Sequence, residues 1–209
     1  MQTTFQDTIT SEAQLREILG EPSPSTRGKL ISTLDSHCLA FIAKSPFMLI
    51  ASAGEQGKVD VSPKGDPAGF VQVLDERTLA IPERLGNRLA DTLLNVLACP
   101  YVGLLFMVPG RQETLRVRGR AQIVRDPWLL ERMAVGGRAP PLATVVSLDW
   151  VFFHCGKCVI RSRLWSQQDW PDAQGLSSLA EAVKDQARLS DSVEAVQSSI
   201  DASYRDRLY

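Results

Sequence analysis

Apolar residues recur at two different spacings along this chain of 209 residues, and the switch between them divides it into regions. Near the start, Ser11, Glu12, Ala13 and Gln14 form an S-x-x-Q capping box. Leu15, Ile18 and Leu19 come next at helical spacing and predict a short amphipathic helix, ended by GEPSPS. Over residues 26–43, Leu30, Ile31, Leu34, Cys38, Leu39, Phe41 and Ile42 return at that spacing and predict a second helix leading into a strand at Phe47. The period then drops to two. PFMLIASA, KVDVSPK, GFVQVLD, TLAIPE, YVGLLFMV and TLRVRGRAQIVR read as strands, separated by AGEQG, DP, DERT and PGRQE, all good turn chemistry. Six short strands predict a barrel, and the two N-terminal helices, within residues 1–44, are expected to pack on it.

Helical spacing interrupts this run in NRLADTLLNVLA, between the fourth and fifth strands, and again in DPWLLERMAV, where Asp126 stands at the cap and Pro127 in the first turn. PPLATVVSLDWVFFHC is a long run of β-formers ended by Gly156, and GKCVIRSRLW reads as a short helix or turn. The barrel region is thus residues 45–165. After Trp165 comes the polar linker QQDWPDAQG. In the extension at residues 166–209, Leu176, Leu179, Val183, Leu189, Val193, Val196 and Ile200 are weakly periodic. One or two helices are expected there, docked on the barrel or on a partner subunit, with a partly frayed tail as the alternative. The fold class is mainly β with flanking helices.

Composition narrows the function by exclusion. Lys and Arg number 23 against 24 Asp and Glu, a net charge of -1, so no general attraction to nucleic acid or to an anionic membrane arises. No apolar run approaches the roughly 20 residues of a membrane span, and the N-terminal stretch is polar where a signal peptide is apolar. A cytoplasmic location is expected. Conventional hydrolytic chemistry has no constellation to stand on: GxSxG, HExxH, P-loop and GxGxxG are all missing, and His37 and His154 are the only imidazoles. His154-Cys155-Gly156-Lys157-Cys158 could be half of a zinc site, a redox pair, or small residues at a strand-to-helix joint. Structural zinc wants four ligands, only His37-Cys38 could complete the set, and no metal is expected.

Cations gather at the joints between strands. Lys64 ends one strand, and Arg84, Asn87 and Arg88 collect where TLAIPE hands over to a helix. Backbone N–H groups and the positive end of the helix would point at the same spot, which suits a phosphate.

SPKG, IPERLGNR, the helix closing in Cys99-Pro100, YVGLLF, ETLRVRGRA and HCGKCVIRSRLW occur in an order that resembles the pyridoxamine 5'-phosphate oxidase-like flavoproteins, over about residues 45–165. The match is to a bacterial branch of that superfamily whose substrates are mostly unassigned. The resemblance implies a six-stranded split β-barrel that forms a homodimer with FMN at the interface. It places Lys64, Arg84, Asn87 and Arg88 at the flavin phosphate and the backbone of Val61, Ser62 and Pro63 along the ring, with Pro82 also among the cofactor-binding residues. Glu113, Thr114 and Arg116 would come from the second subunit, and Arg161 and Trp165 would build the far wall, with plain interface core as the alternative for Trp165. Thr114 stands where the oxidase that names the family has glutamine. The R-x-V-L-L-K strand of that oxidase appears here as VDVSPK, with Asp60 bringing the opposite sign, and its C-terminal R-x-H motif is absent. Those departures argue against pyridoxamine 5'-phosphate as substrate while leaving FMN binding intact. The implied activity is an oxidoreductase on a small organic substrate, with NAD(P)H or oxygen as redox partner. The alternatives are a flavin-binding or sensing protein without turnover, and a barrel preferring deazaflavin or haem.

Overall fold

The computed structural model describes residues 3–86 and 88–209, so Asn87 lies outside the described residues. Its centre is one antiparallel sheet built from β1 (Phe47–Ala53), β2 (Val59–Gly65), β3 (Gln72–Asp75), β4 (Thr78–Glu83), β5 (Tyr101–Met107), β6 (Thr114–Val124) and β7 (Leu142–His154). The order across the sheet is β2-β1-β5-β6-β7-β4-β3. Seven strands, not six, therefore make the sheet. The run ended by Gly156 supplies the seventh, and it is central: β7 pairs with β6 over most of its length and with β4 near its start. Ala143, Thr144, Val145 and Val146 are successive and all buried, so both faces of the strand are covered there, and the run reads as continuous β-formers without the alternation that marks a half-exposed strand.

Alternation sets the core. Ile50, Leu104, Val117 and Val151 point inward from four neighbouring strands and are at most 2% exposed. Burying each such side chain contributes about 1.5–3 kcal/mol. Between Arg118 and Gly119 the β6–β7 register shifts by a bulge. A Cβ at Gly119 would collide with the Ser147 carbonyl, so glycine is what lets the two backbones close there.

The expected helix over residues 26–43 is two helices, α2 (Pro24–Gly28) and α3 (Ser36–Lys44), preceded by α1 (Glu12–Leu19). Ile31 and Leu34 do reach the core, but as extended chain. Ile31 exchanges backbone hydrogen bonds with Val151 at 3.1 and 2.8 Å, and the Leu34 N–H donates to the Glu76 carbonyl at 2.8 Å. Asp35 restarts the helix by accepting from the Cys38 N–H at 2.8 Å. Only α3 then buries side chains, Cys38 and Ile42; α1 buries none in the single chain.

The helix before β5 is α4 (Asp91–Ala98), and it starts later than the sequence pattern places it. Helix α5 (Pro127–Arg132) begins with Pro127 in its first turn and packs Leu129 into a second small core with Met133, Ala80, Ala143 and Val145. A short α6 (Lys157–Ser162) comes after β7. The extension forms two helices, α7 (Leu179–Ala187) and α8 (Val193–Asp206), which touch each other and bury Ala180 and Val196. Ser178 and Glu181 cap α7 reciprocally. Among the described residues no helix is long and apolar enough to cross a membrane.

Candidate functional site

Opposite sides of the sheet, β2 and β4, meet at a buried ion pair. β2 is an edge strand on which Asp60, Ser62 and Lys64 face one way, while Val61 and Pro63 face the other. Lys64 reaches Glu83 on β4, Nζ to Oε2 at 2.6 Å, with the side chains 17% and 9% exposed. The other oxygen of Glu83 accepts from the fully buried Thr144 hydroxyl at 2.8 Å. Both carboxylate oxygens are satisfied, so the pair joins β2 to β4 and β7 without an unpaired charge.

A second pair lies beside it. Arg84 Nε donates to Asp66 Oδ2 at 2.6 Å, and its Nη2 donates to the Met133 carbonyl at 2.8 Å. The free oxygen of Asp66 accepts from the Tyr209 hydroxyl at 2.8 Å, and the Tyr209 ring lies 5.4 Å from the guanidinium. Arg138 Nη1 donates to the Tyr209 carbonyl at 3.2 Å. The hydrogen bond to Asp66, helped by burial, holds the Tyr209 phenol above its ordinary pKa.

Between β4 and α4 the chain takes an unusual path. Arg88 and Ala90 both adopt the left-handed region, with φ of 65° and 57°. Each such residue costs on the order of 1 kcal/mol, and strain of this kind concentrates where a site needs a particular backbone shape. Ala90 is the N-cap of α4 and offers no side-chain acceptor, so the first-turn N–H groups of α4 have no side-chain cap. Nearby, the Thr92 hydroxyl donates to Asp60 at 3.0 Å, fixing α4 to β2.

These parts enclose a cavity of about 690 Å³. Val61, Ser62, Pro63, Lys64, Pro82, Arg84 and Arg88 all line it, together with Asp66, Asp91, Phe70 and Tyr209. Its charge is mixed. Lys64, Arg84 and Arg88 stand against Asp60, Asp66, Glu83 and Asp91. Lys64 and Arg84 are neutralised by buried carboxylates, which leaves Arg88, exposed and in no ion pair with a described residue, as the available cation. An anion here would rest on Arg88 and on the backbone N–H groups that open α4.

The other expected residues lie elsewhere in the same chain. Glu113 pairs with Arg111 at 3.3 Å, buried Thr114 sits opposite His154 at the start of β6, and the Arg116 guanidinium lies 5.4 Å from the Phe152 ring. Arg161 is exposed on α6, and the Trp165 indole donates to the Arg111 carbonyl at 2.7 Å. None of these five lines the cavity. Burial, reinforced by the Arg116 and Lys29 charges, holds His154 below the usual imidazole pKa. Arg116 Nη1 lies 3.5 Å from His154 Nδ1, and since guanidinium only donates, that nitrogen is the acceptor.

Glu83, Asp66 and Tyr209 carry no local signal of their place in the site. Glu83 is visible as part of IPERLGNR, but nothing in that segment indicates that a carboxylate will be buried against a lysine 19 residues earlier. The cysteines divide. Burial, with Asp35 nearby, pushes the Cys38 thiol up to about 12, so it behaves as core, while Cys155 and Cys158 are exposed and free. Among the described residues no group of three or more His, Cys, Asp or Glu is arranged to hold a metal ion.

An antiparallel barrel-like sheet with a cavity at its edge strand defines a class, and comparison with known proteins supplies the family. Residues 34–155 match the family model for pyridoxamine 5'-phosphate oxidase. That span is more than half of the 209 residues, and the chain belongs to the pyridoxamine 5'-phosphate oxidase-like family. Among solved structures it is similar to HupZ of Group A Streptococcus, at 15% identity over 57% of this chain and 93% of that one, with a TM-score of 0.48. It is also similar to an FMN-binding protein from Syntrophomonas wolfei, at 11% identity, 68% and 95% coverage and a TM-score of 0.43. A third is a protein related to general stress protein 26 from Clostridium acetobutylicum, at 14% identity, 57% and 86% coverage and a TM-score of 0.41. Likenesses this low carry no statement about activity. Among curated proteins, none matches this sequence.

Proposed function

We propose that this chain is a homodimeric FMN-binding flavoprotein acting as an oxidoreductase on a small organic substrate. The observation that carries the reading is the cavity, because it gathers an edge strand, a strained loop and an uncapped helix start in one place. Each suits a different part of FMN. Arg88 and the first N–H groups of α4 would hold the phosphate. The unpaired main-chain edge of β2, at Val61, Ser62 and Pro63, would hydrogen-bond the rim of the ring. Phe70, Leu93 and Leu142 would exclude water from its apolar part. When bound, the flavin itself supplies hydride or single-electron chemistry, so no nucleophile or metal is asked of the protein.

The outer face of the sheet supports a dimer. Pro63, Leu49, Leu105, Arg116 and Phe152 lie opposite one another in a single row across five strands, and Val61, beside that row on β2, is 55% exposed. A partner covering this face would bring its own Glu113, Thr114 and Arg116 toward the cavity, with Arg161 and Trp165 behind them. Expected partners besides a second copy are a nicotinamide donor or oxygen and the substrate.

Titration of the apo protein with FMN tests the cofactor, and light scattering should report about twice the 23.0 kDa chain mass. Arg88→Ala should weaken FMN about ten- to a hundredfold, the worth of one charge-assisted contact. A protein that neither retains nor binds flavin would remove the reading. Steady-state NAD(P)H consumption by the loaded protein then separates an enzyme from a flavin-binding protein without turnover.

A further inference from the structure

Residues 208 and 209, which follow α8, come back to the cavity formed by β2, β4 and the start of α4. Leu208 and Tyr209 line the same cavity as Arg84, Arg88 and the start of α4. Tyr209 is held there at three points: its hydroxyl donates to Asp66, its ring lies over Arg84, and its carbonyl accepts from Arg138. Asp66 is deeply buried, its side chain 1% exposed, so its second oxygen needs a donor from whatever occupies the cavity. The phenol is that donor in this structure. An oxyanion approaching the Arg84 guanidinium would meet the Tyr209 ring first, since Asp66 and the Met133 carbonyl already take two of its edges.

We propose that residues 207–209 are a plug that mimics the ligand: Tyr209 occupies the place of a phosphate ester carrying a free hydroxyl, and must leave before such a ligand binds. The exchange conserves hydrogen bonds. A ligand hydroxyl donates to Asp66 Oδ1 in place of the phenol, and the phosphate rests on Arg88 and the first N–H groups of α4, with the Tyr209 ring gone from beside Arg84. A simple wall would keep Tyr209 in place when the site fills, whereas a plug makes the apparent affinity depend on how often the tail is away. If the open form is about a tenth of the population or less, the free protein binds at least about tenfold more weakly than it would without the plug.

This inference rests on the FMN proposal, and the experiment separates the two. FMN is titrated into the full chain, Tyr209→Phe and Tyr209→Ala, while mass spectrometry follows tryptic cleavage after Arg207 with and without FMN. The plug requires Tyr209→Ala to bind FMN about tenfold tighter or more, and Tyr209→Phe, which keeps the ring and loses the hydroxyl, to fall between it and the native chain. It also requires slow cleavage of the free native chain, faster cleavage when FMN is added, and fast cleavage of Tyr209→Ala throughout. Equal FMN affinity in all three proteins, or weaker binding by Tyr209→Ala, overturns the plug and leaves the flavin reading standing. So does a free native chain cut as fast as Tyr209→Ala. Failure of all three to bind FMN overturns the flavin reading and this inference with it.

Discussion

Lys64 and Arg84 at the cavity and Arg116, Arg118 and Arg120 along β6 are cations of similar origin held in opposite ways. The first two are mostly buried and face carboxylates at 2.6 Å, on Glu83 and Asp66. The three on β6 stand on the open face of the sheet over aromatic rings at 5.1 to 5.4 Å, Phe152, Trp150 and Tyr101. A buried pair is costly to break, because the surviving charge keeps its desolvation and loses its partner. An exposed cation over a ring gives up little and is free to meet another surface. Fixed charges thus shape the cavity and loose ones decorate the face where a second subunit is proposed to sit.

The comparison is tested most severely by Lys64→Met. It should cost about 3–5 kcal/mol in denaturant unfolding, since Glu83 would stay buried without its cation. Adding Glu83→Gln should return a large part of that loss; a strictly additive double variant would mean that the pair is not coupled. Arg118→Ala probes the other side. Arg118 is 57% exposed and only 3.6 Å from Asp149, so the change should cost about 1 kcal/mol or less, and a loss as large as that of Lys64→Met would erase the contrast between the regions.

A smaller effect is expected from His154. Its folded pKa is depressed, so the neutral form is favoured in the fold. The stability it contributes is full above the unfolded value of about 6.5 and is lost as pH falls through the folded value. The difference in unfolding midpoint between the native chain and His154→Gln, followed from about pH 8 to about pH 5, should therefore shrink toward the acid end. A difference that grows there would reverse the sign assigned to the Arg116 and Lys29 environment. The smallest effect belongs to the double change Cys155→Ala with Cys158→Ala, both exposed, which should leave flavin content and any reductase rate nearly intact. One zinc per chain, or a flavin no longer reducible after the change, would place HCGKC at the centre of the chemistry.

Much of the fold was legible because it is written at short range. Period-two alternation marks β1, β2, β5 and β6, and Pro127 marks α5. What failed at that range failed for a reason in three dimensions. Ile31 and Leu34 are spaced as on a helix, yet one joins Val151 in a β-bridge and the other bonds to Glu76, contacts more than 40 residues away. Asp91 opens α4 only because Ala90 adopts a left-handed turn that no preference of alanine would suggest.

The cavity divides in the same way. Its cations and its position between β4 and a helix came from the order of motifs, since charge type and turn chemistry are properties of single residues and their immediate neighbours. Tertiary structure alone decided that Lys64 and Arg84 would be neutralised, that Thr144 would complete Glu83, and that Tyr209 would reach Asp66 across 143 residues of sequence. Burial and pairing are set by which segments are brought together, and sequence spacing does not encode that distance.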